Sequence, residues 1–132
     1  MVQLAFLLIG DAAAADEIVQ DAFLQVHRRW SRLDNPGAYL RTAVVNACRS
    51  HQRHRRVVER KPIHAPESAD LGANELGDAL NKLPYRQRAA LALRYFADLT
   101  DDDIATALDV RPATVRSLIH RGLTALRKDI EP

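Results

Sequence analysis

The chain has 132 residues, 47% hydrophobic, 27% charged and only 5% aromatic, with a net charge of +2. That length holds one ordinary domain or two very small helical ones, since cores in units of roughly 50 to 70 residues are marginal alone. The lone cysteine, Cys48, excludes an intramolecular disulfide and fits a reducing compartment. The longest apolar opening, LAFLLIG, is far short of the roughly 20 residues that cross a bilayer, and it has no secretory cleavage pattern. A soluble, cytoplasmic protein is expected.

In chain order, residues 4–9 read as the end of a helix stopped by Gly10, and Asp11 can cap the next one. That second helix, AAAADEIVQDAFLQVHRRW, offers Ile18, Ala22, Phe23, Val26 and Trp30 as a buried stripe. Asn35 followed by Pro36 makes a turn and a helix start. The helix beyond it expects Leu40, Ala43, Val44 and Ala47 inward and turns wholly polar after Cys48, which serves as a small apolar filler. Residues 57–73 contain Pro62, Pro66 and Gly72 without any sustained period and read as a flexible linker. NELGDALNKL then forms a helix that stops before Pro84, which starts the next, RQRAALALRYF. Thr100 with Asp103 three residues on is a capping box, and Pro112 opens a final helix reaching roughly Lys128. No strand-like alternation appears. The expected fold is all-α: two small helical domains, residues 1–56 and 74–132, joined by the flexible linker 57–73.

Charge is unevenly distributed along this chain. The segment TDDDIATALD has four acids and no base, whereas VRPATVRSLIHRG has three arginines and no acid. On a helical wheel at about 100° per residue, Val115, Leu118, Ile119, Gly122 and Leu126 fall on one side of the last helix. Thr114, Arg116, Ser117, His120, Arg121 and Thr124 fall on the other. The preceding helix packs through Ile104, Ala105 and Leu108, and the turn between the two is tight. Two short helices so joined, the second basic on its outer face, make a helix-turn-helix. The basic face suits a major groove, where arginine reads guanine edges and Ser or Thr meets bases or phosphate. Acids in the first turn of the preceding helix favour its positive dipole end. A solvated amphipathic helix is the plainer alternative, but turn length, caps and polarity all favour DNA.

A second basic run, RSHQRHRRVVERK, carries six Arg or Lys against one acid, Glu59. It continues the helix that starts near Pro36, and with Trp30 and Tyr39 nearby it could track a backbone and support unstacked bases. His51 and His54 form an H-x-x-H pair, but further ligands are missing, so no metal site is expected. No nucleophile elbow or phosphate loop occurs, and no catalytic site or cofactor is expected.

GDAAAADEIVQDAFLQVHRRW, then NPGAYLRTAVVNACRSHQRHRR, then LPYRQRAALALRYFADLTDDDIATALDVRPATVRSLIHRGLTALRK resemble a bacterial extracytoplasmic-function (ECF) sigma factor over almost the whole chain except the linker. The resemblance implies a promoter-recognition subunit of RNA polymerase, not an enzyme. Its first domain would dock the clamp of the polymerase's largest subunit through Glu17, Gln20 and Asp21. Asn46 would recognise a base of the minus-ten element, the loop from Leu33 to Asn35 would hold a flipped base, and Arg49, Arg53 and Arg56 would hold the backbone. The second domain would place Thr114, Arg116, Ser117, His120 and Arg121 at the minus-35 element, with its other side on the polymerase flap, and an anti-sigma factor is an implied partner. The chain departs from the family in three places. A further helix normally precedes LAFLLIG, which implies a shortened first domain. Arg111 stands where a Ser-type cap is common, and Asp109 stands where the turn usually has glycine. Two other readings compete: a dimeric helix-turn-helix regulator, which leaves DEIVQDAF unexplained, and an interaction module held by an inhibitory partner.

Overall fold

The computed structural model describes residues 1–58 and 75–130, which form helices α1 (Val2–Ile9), α2 (Ala12–Arg28), α3 (Pro36–Val58), α4 (Glu75–Lys82), α5 (Tyr85–Leu91), α6 (Asp101–Leu108) and α7 (Pro112–Ile130). A short 3-10 turn, Trp30–Arg32, precedes α3. A π-helical turn, Ala92–Phe96, continues α5. Among the described residues there is no strand. Most of the linker expected at 57–73 lies outside the described residues, although α3 itself runs on to Val58.

The helix boundaries follow from local chemistry. Gly10, at φ 69, closes α1 in the left-handed conformation and donates its N–H to Phe6 O at 2.8 Å. One residue later Asp11 Oδ1 accepts from Ala14 N at 3.0 Å and opens α2. Asn35 Oδ1 accepts from Ala38 N at 3.1 Å, with Pro36 as the first helical residue of α3. Thr100 Oγ1 accepts from Asp103 N at 3.2 Å at the start of α6. That helix ends in a Schellman motif: Val110 N donates to Ala105 O at 3.0 Å and Asp109 N to Thr106 O at 3.3 Å. Asp109 therefore sits left-handed, at φ 56 and ψ 51, in the place where glycine is usual.

The inward faces are not all those the periodicity suggests. In α2 the buried residues are Ala15, Val19, Ala22 and Val26, whereas Phe23 is 51% and Trp30 63% exposed. Steps of four residues overshoot a turn by about 40°, so a stripe built on positions 18, 22, 26 and 30 drifts off the core by its end. In α3 the fully buried residues are Val44, Val45 and Cys48, while Leu40, Ala43 and Ala47 are only half-buried.

Two helical units are present, and each also packs on the other. Leu4, Leu8, Val44 and Cys48 of the first unit belong to one buried cluster with Leu83, Ala89, Leu93 and Ile104 of the second. Units this small leave apolar faces that they cannot cover alone, and here each covers the other's. The seam is polar at two points. Tyr85 Oη donates to Val45 O at 2.8 Å. Arg88, 2% exposed, donates to four main-chain carbonyls: Nε to Leu80 O at 2.9 Å, Nη2 to Asn81 O at 3.1 Å and to Leu83 O at 2.9 Å, and Nη1 to Leu8 O. Its guanidinium thus sits where the C-terminal ends of α1 and α4 converge, and both helix dipoles favour a cation there.

Candidate nucleic-acid interface

The α6–α7 pair has the helix-turn-helix arrangement, with three residues, 109–111, between the helices. Ile104, Ala105, Ala107 and Leu108 of α6 and Val115, Leu118, Ile119 and Gly122 of α7 are buried. Gly122 faces α5 so closely that a Cβ there would lie 2.8 Å from Leu91 Cδ1. The absence of a side chain is what lets α7 lie flat on α5, and it fixes the roll of α7. With that roll, Thr114, Arg116, His120 and Arg121 are exposed and Ser117 is half-buried at the edge of the face. Thr124 Oγ1 donates back to His120 O at 2.9 Å.

The acidic start of α6 does more than favour its own dipole. Asp101 pairs with Arg94, and its Oδ2 lies 3.7 Å from Arg116 Nη1. The Arg116 side chain is 62% exposed, and an exposed pair of this kind contributes about 0–1 kcal/mol. A bidentate contact with guanine discriminates by about 1–3 kcal/mol, so Asp101 parks the guanidinium without preventing it from reaching a base.

On α3, Asn46 is exposed and borders a shallow groove of about 350 Å³ against α2, lined also by Gln25, Tyr39, Thr42 and Ser50. Arg29 lies over the Tyr39 ring at 5.9 Å from its centre. Leu33, in the turn before α3, is half-buried. The side chain of Arg56 lies outside the described residues. Arg49 and Arg53 border a different groove of about 410 Å³, between α3, α5 and α7, which they share with Arg86 and Arg121. Burial first, and then the positive charges of Arg53 and Arg86, push the Arg49 guanidinium below its ordinary value. Candidates assigned to two separate DNA elements therefore line one groove, which the sequence does not reveal.

Glu17, Gln20 and Asp21 are all exposed on α2. Gln20 Nε2 donates to Asp16 Oδ2 at 3.0 Å. Leu24, half exposed, falls among this trio at helical spacing, and Phe23 adjoins it. The periodicity assigned Phe23 to the core, so the apolar part of this surface was missed. Among the described residues no cluster of three or more His, Cys, Asp or Glu could hold a metal ion. No helix among them is long and apolar enough to cross a membrane.

Known proteins share this organisation. Residues 1–57 match the family described as Sigma-70 region 2, and residues 73–126 match Sigma-70, region 4. The ECF RNA polymerase sigma factor SigL of Mycobacterium tuberculosis is 30% identical over 145 residues, covering 96% of this chain and 80% of that one. The chain belongs to the ECF sigma factor family. The RNA polymerase sigma-E factor of Streptomyces coelicolor is 29% identical over 133 residues, 93% of this chain and 75% of that one. Among solved structures, the sigma factor RpoE of Bartonella quintana, in complex with the anti-sigma factor NepR, has the same fold, with a TM-score of 0.80. That likeness covers 98% of this chain and 89% of RpoE at 22% identity. In this ECF sigma factor, α1–α3 are the region 2 part and α4–α7 the region 4 part.

Proposed function

We propose that this chain is a promoter-recognition subunit of RNA polymerase that works by binding alone. The observation that carries the reading is the pairing, in a chain matching both sigma regions, of two basic helices whose apolar seams fix which side chains face out. The exposed face of α2, with Glu17, Gln20 and Asp21 around Leu24, docks the clamp of the polymerase's largest subunit. Asn46 reads a minus-ten base beside the α2–α3 groove, and Leu33 lies in the turn that holds a flipped base. Extruding a base costs a few kcal/mol, which stacking of about 1–3 kcal/mol per base can offset. Arg49, Arg53 and Arg56 neutralise the adjoining backbone. Thr114, Arg116, Ser117, His120 and Arg121 meet the minus-35 major groove while the opposite side of the region 4 part meets the polymerase flap. An anti-sigma factor is the inhibitory partner, by analogy with the complex that RpoE forms. In-vitro transcription with core polymerase on a promoter library tests the reading: transcripts should start at defined positions only when the chain is present. In permanganate footprinting, Asn46→Ala should impair opening more than upstream binding. Failure to join core enzyme or to direct initiation overturns the proposal.

A further inference from the structure

The groove between α3, α5 and α7 is lined by four arginines from three helices, Arg49 and Arg53, Arg86, and Arg121, and no acid lies among its lining residues. Arginines converging without counter-charge repel one another, as the lowered Arg49 proton affinity shows. Gln52 and Gln87 add amide groups to the wall. Among the described residues Gln52 Oε1 is buried without a hydrogen-bond partner, and the amide can turn over to present its N–H2 instead. Pro84, Tyr85 and Leu118 complete the lining.

We propose that this groove is a binding site for a linear polyphosphate, free or carried on a nucleoside. Guanidinium forks match phosphate oxygens in bidentate geometry, and a chain of three phosphates carries about the charge that four arginines leave unbalanced. The volume, about 410 Å³, falls in the range of small-molecule sites, a few hundred Å³ upward. It is far too small for a duplex. Both halves of the chain contribute, so a ligand there cross-links them in the packed arrangement and covers Arg49, Arg53 and Arg121. Inhibition of initiation follows if the proposed function holds; binding itself does not depend on that function.

The test titrates the full chain by calorimetry with tripolyphosphate, ATP, sulfate and a glutamate-rich hexapeptide at fixed salt. Tripolyphosphate should bind one per chain and at least about tenfold tighter than sulfate, and Arg86→Gln should weaken it by about tenfold. Arg86 is exposed, so the variant should melt with the parent. Equal affinity for ATP assigns the phosphate chain alone, and tighter ATP binding adds recognition of the nucleoside; both support the site. No saturation, no dependence on Arg86, or equally tight hexapeptide binding with the same dependence overturns it. In transcription at fixed free Mg2+, tripolyphosphate should inhibit the parent more than Arg86→Gln. If binding holds and initiation is indifferent, the site stands and its regulatory role falls.

Discussion

Replacing Arg88 by methionine should show how the two halves of the molecule are held together. The side chain is 2% exposed and donates to carbonyls on both sides of the seam. Methionine fills much the same volume and donates nothing. Leu80 O keeps a second donor, Leu83 N at 3.1 Å, so the loss concentrates on Leu8 O, Asn81 O and Leu83 O. A buried acceptor stripped of its donor costs about 1–3 kcal/mol. Three such losses in one network are not additive, and breaking a buried charged network typically costs about 3–5 kcal/mol. For a chain of this length that is a drop in melting temperature of about 10–20 °C, against a total stability of about 5–15 kcal/mol. Urea and thermal unfolding at pH 7 measure it, with Arg86→Met as an exposed control expected within about 0.5 kcal/mol of the parent. Arg88→Lys keeps the charge but has a single point donor group, and should recover part of the loss. If Arg88→Met melts within about 3 °C of the parent, the guanidinium is not what joins α1 to α4 and α5.

Burial pushes the Cys48 thiol up from 9.0 to about 12. Burial, and then the nearby Cys48, push the Tyr85 hydroxyl well above its ordinary value. Both groups are neutral in the fold, so their contribution is intact below pH 9 and is lost as pH rises toward their folded values. Urea midpoints should fall by about 1.4 kcal/mol per pH unit from Cys48 alone above pH 9, and Cys48→Ala should delay the decline; a flat profile from pH 8 to 10.5 would refute this. Gly122→Ala places a Cβ 2.8 Å from Leu91 Cδ1 and 3.3 Å from Cγ. Overpacking of about 1–3 kcal/mol outweighs a helix-propensity gain of about 1 kcal/mol, and Leu91→Ala should cost less in that background than in the parent. Arg116→Ala should lose about 1–3 kcal/mol at one base pair in an anisotropy competition, and Asp101→Asn should tighten binding by less than about 1 kcal/mol. An equal Arg116 loss on every sequence would make it a phosphate contact instead.

The caps and the helix-turn-helix were legible because each rests on local chemistry: Asp11, Asn35 and Thr100 bond their own third neighbours. The outward face of α7 was legible because its apolar and polar residues are well segregated. Phe23 and Trp30 misled because hydrophobicity signals burial whether the covering surface is this chain or another. The seam left only a faint trace. Arg88 keeps helical step with Tyr85, Leu91 and Ala92, but a single charge in an apolar row does not announce four carbonyls contributed by distant segments. The shared arginine groove left no trace, because it arises only when α3 meets α5 and α7.

The π turn after α5 has its own consequence. Ala97 N reaches back to Ala92 O at 3.1 Å, one residue further than in an ordinary helix. Leu93 therefore stays inside while Tyr95 and Phe96 emerge, at 65% and 48% exposure. The surplus residue acts as a phase spacer. Deleting any one residue of that turn would rewind it and swing everything downstream, α7 included, by about 100°, so backbone length at this spot, more than side-chain identity, sets the bearing of the last helix.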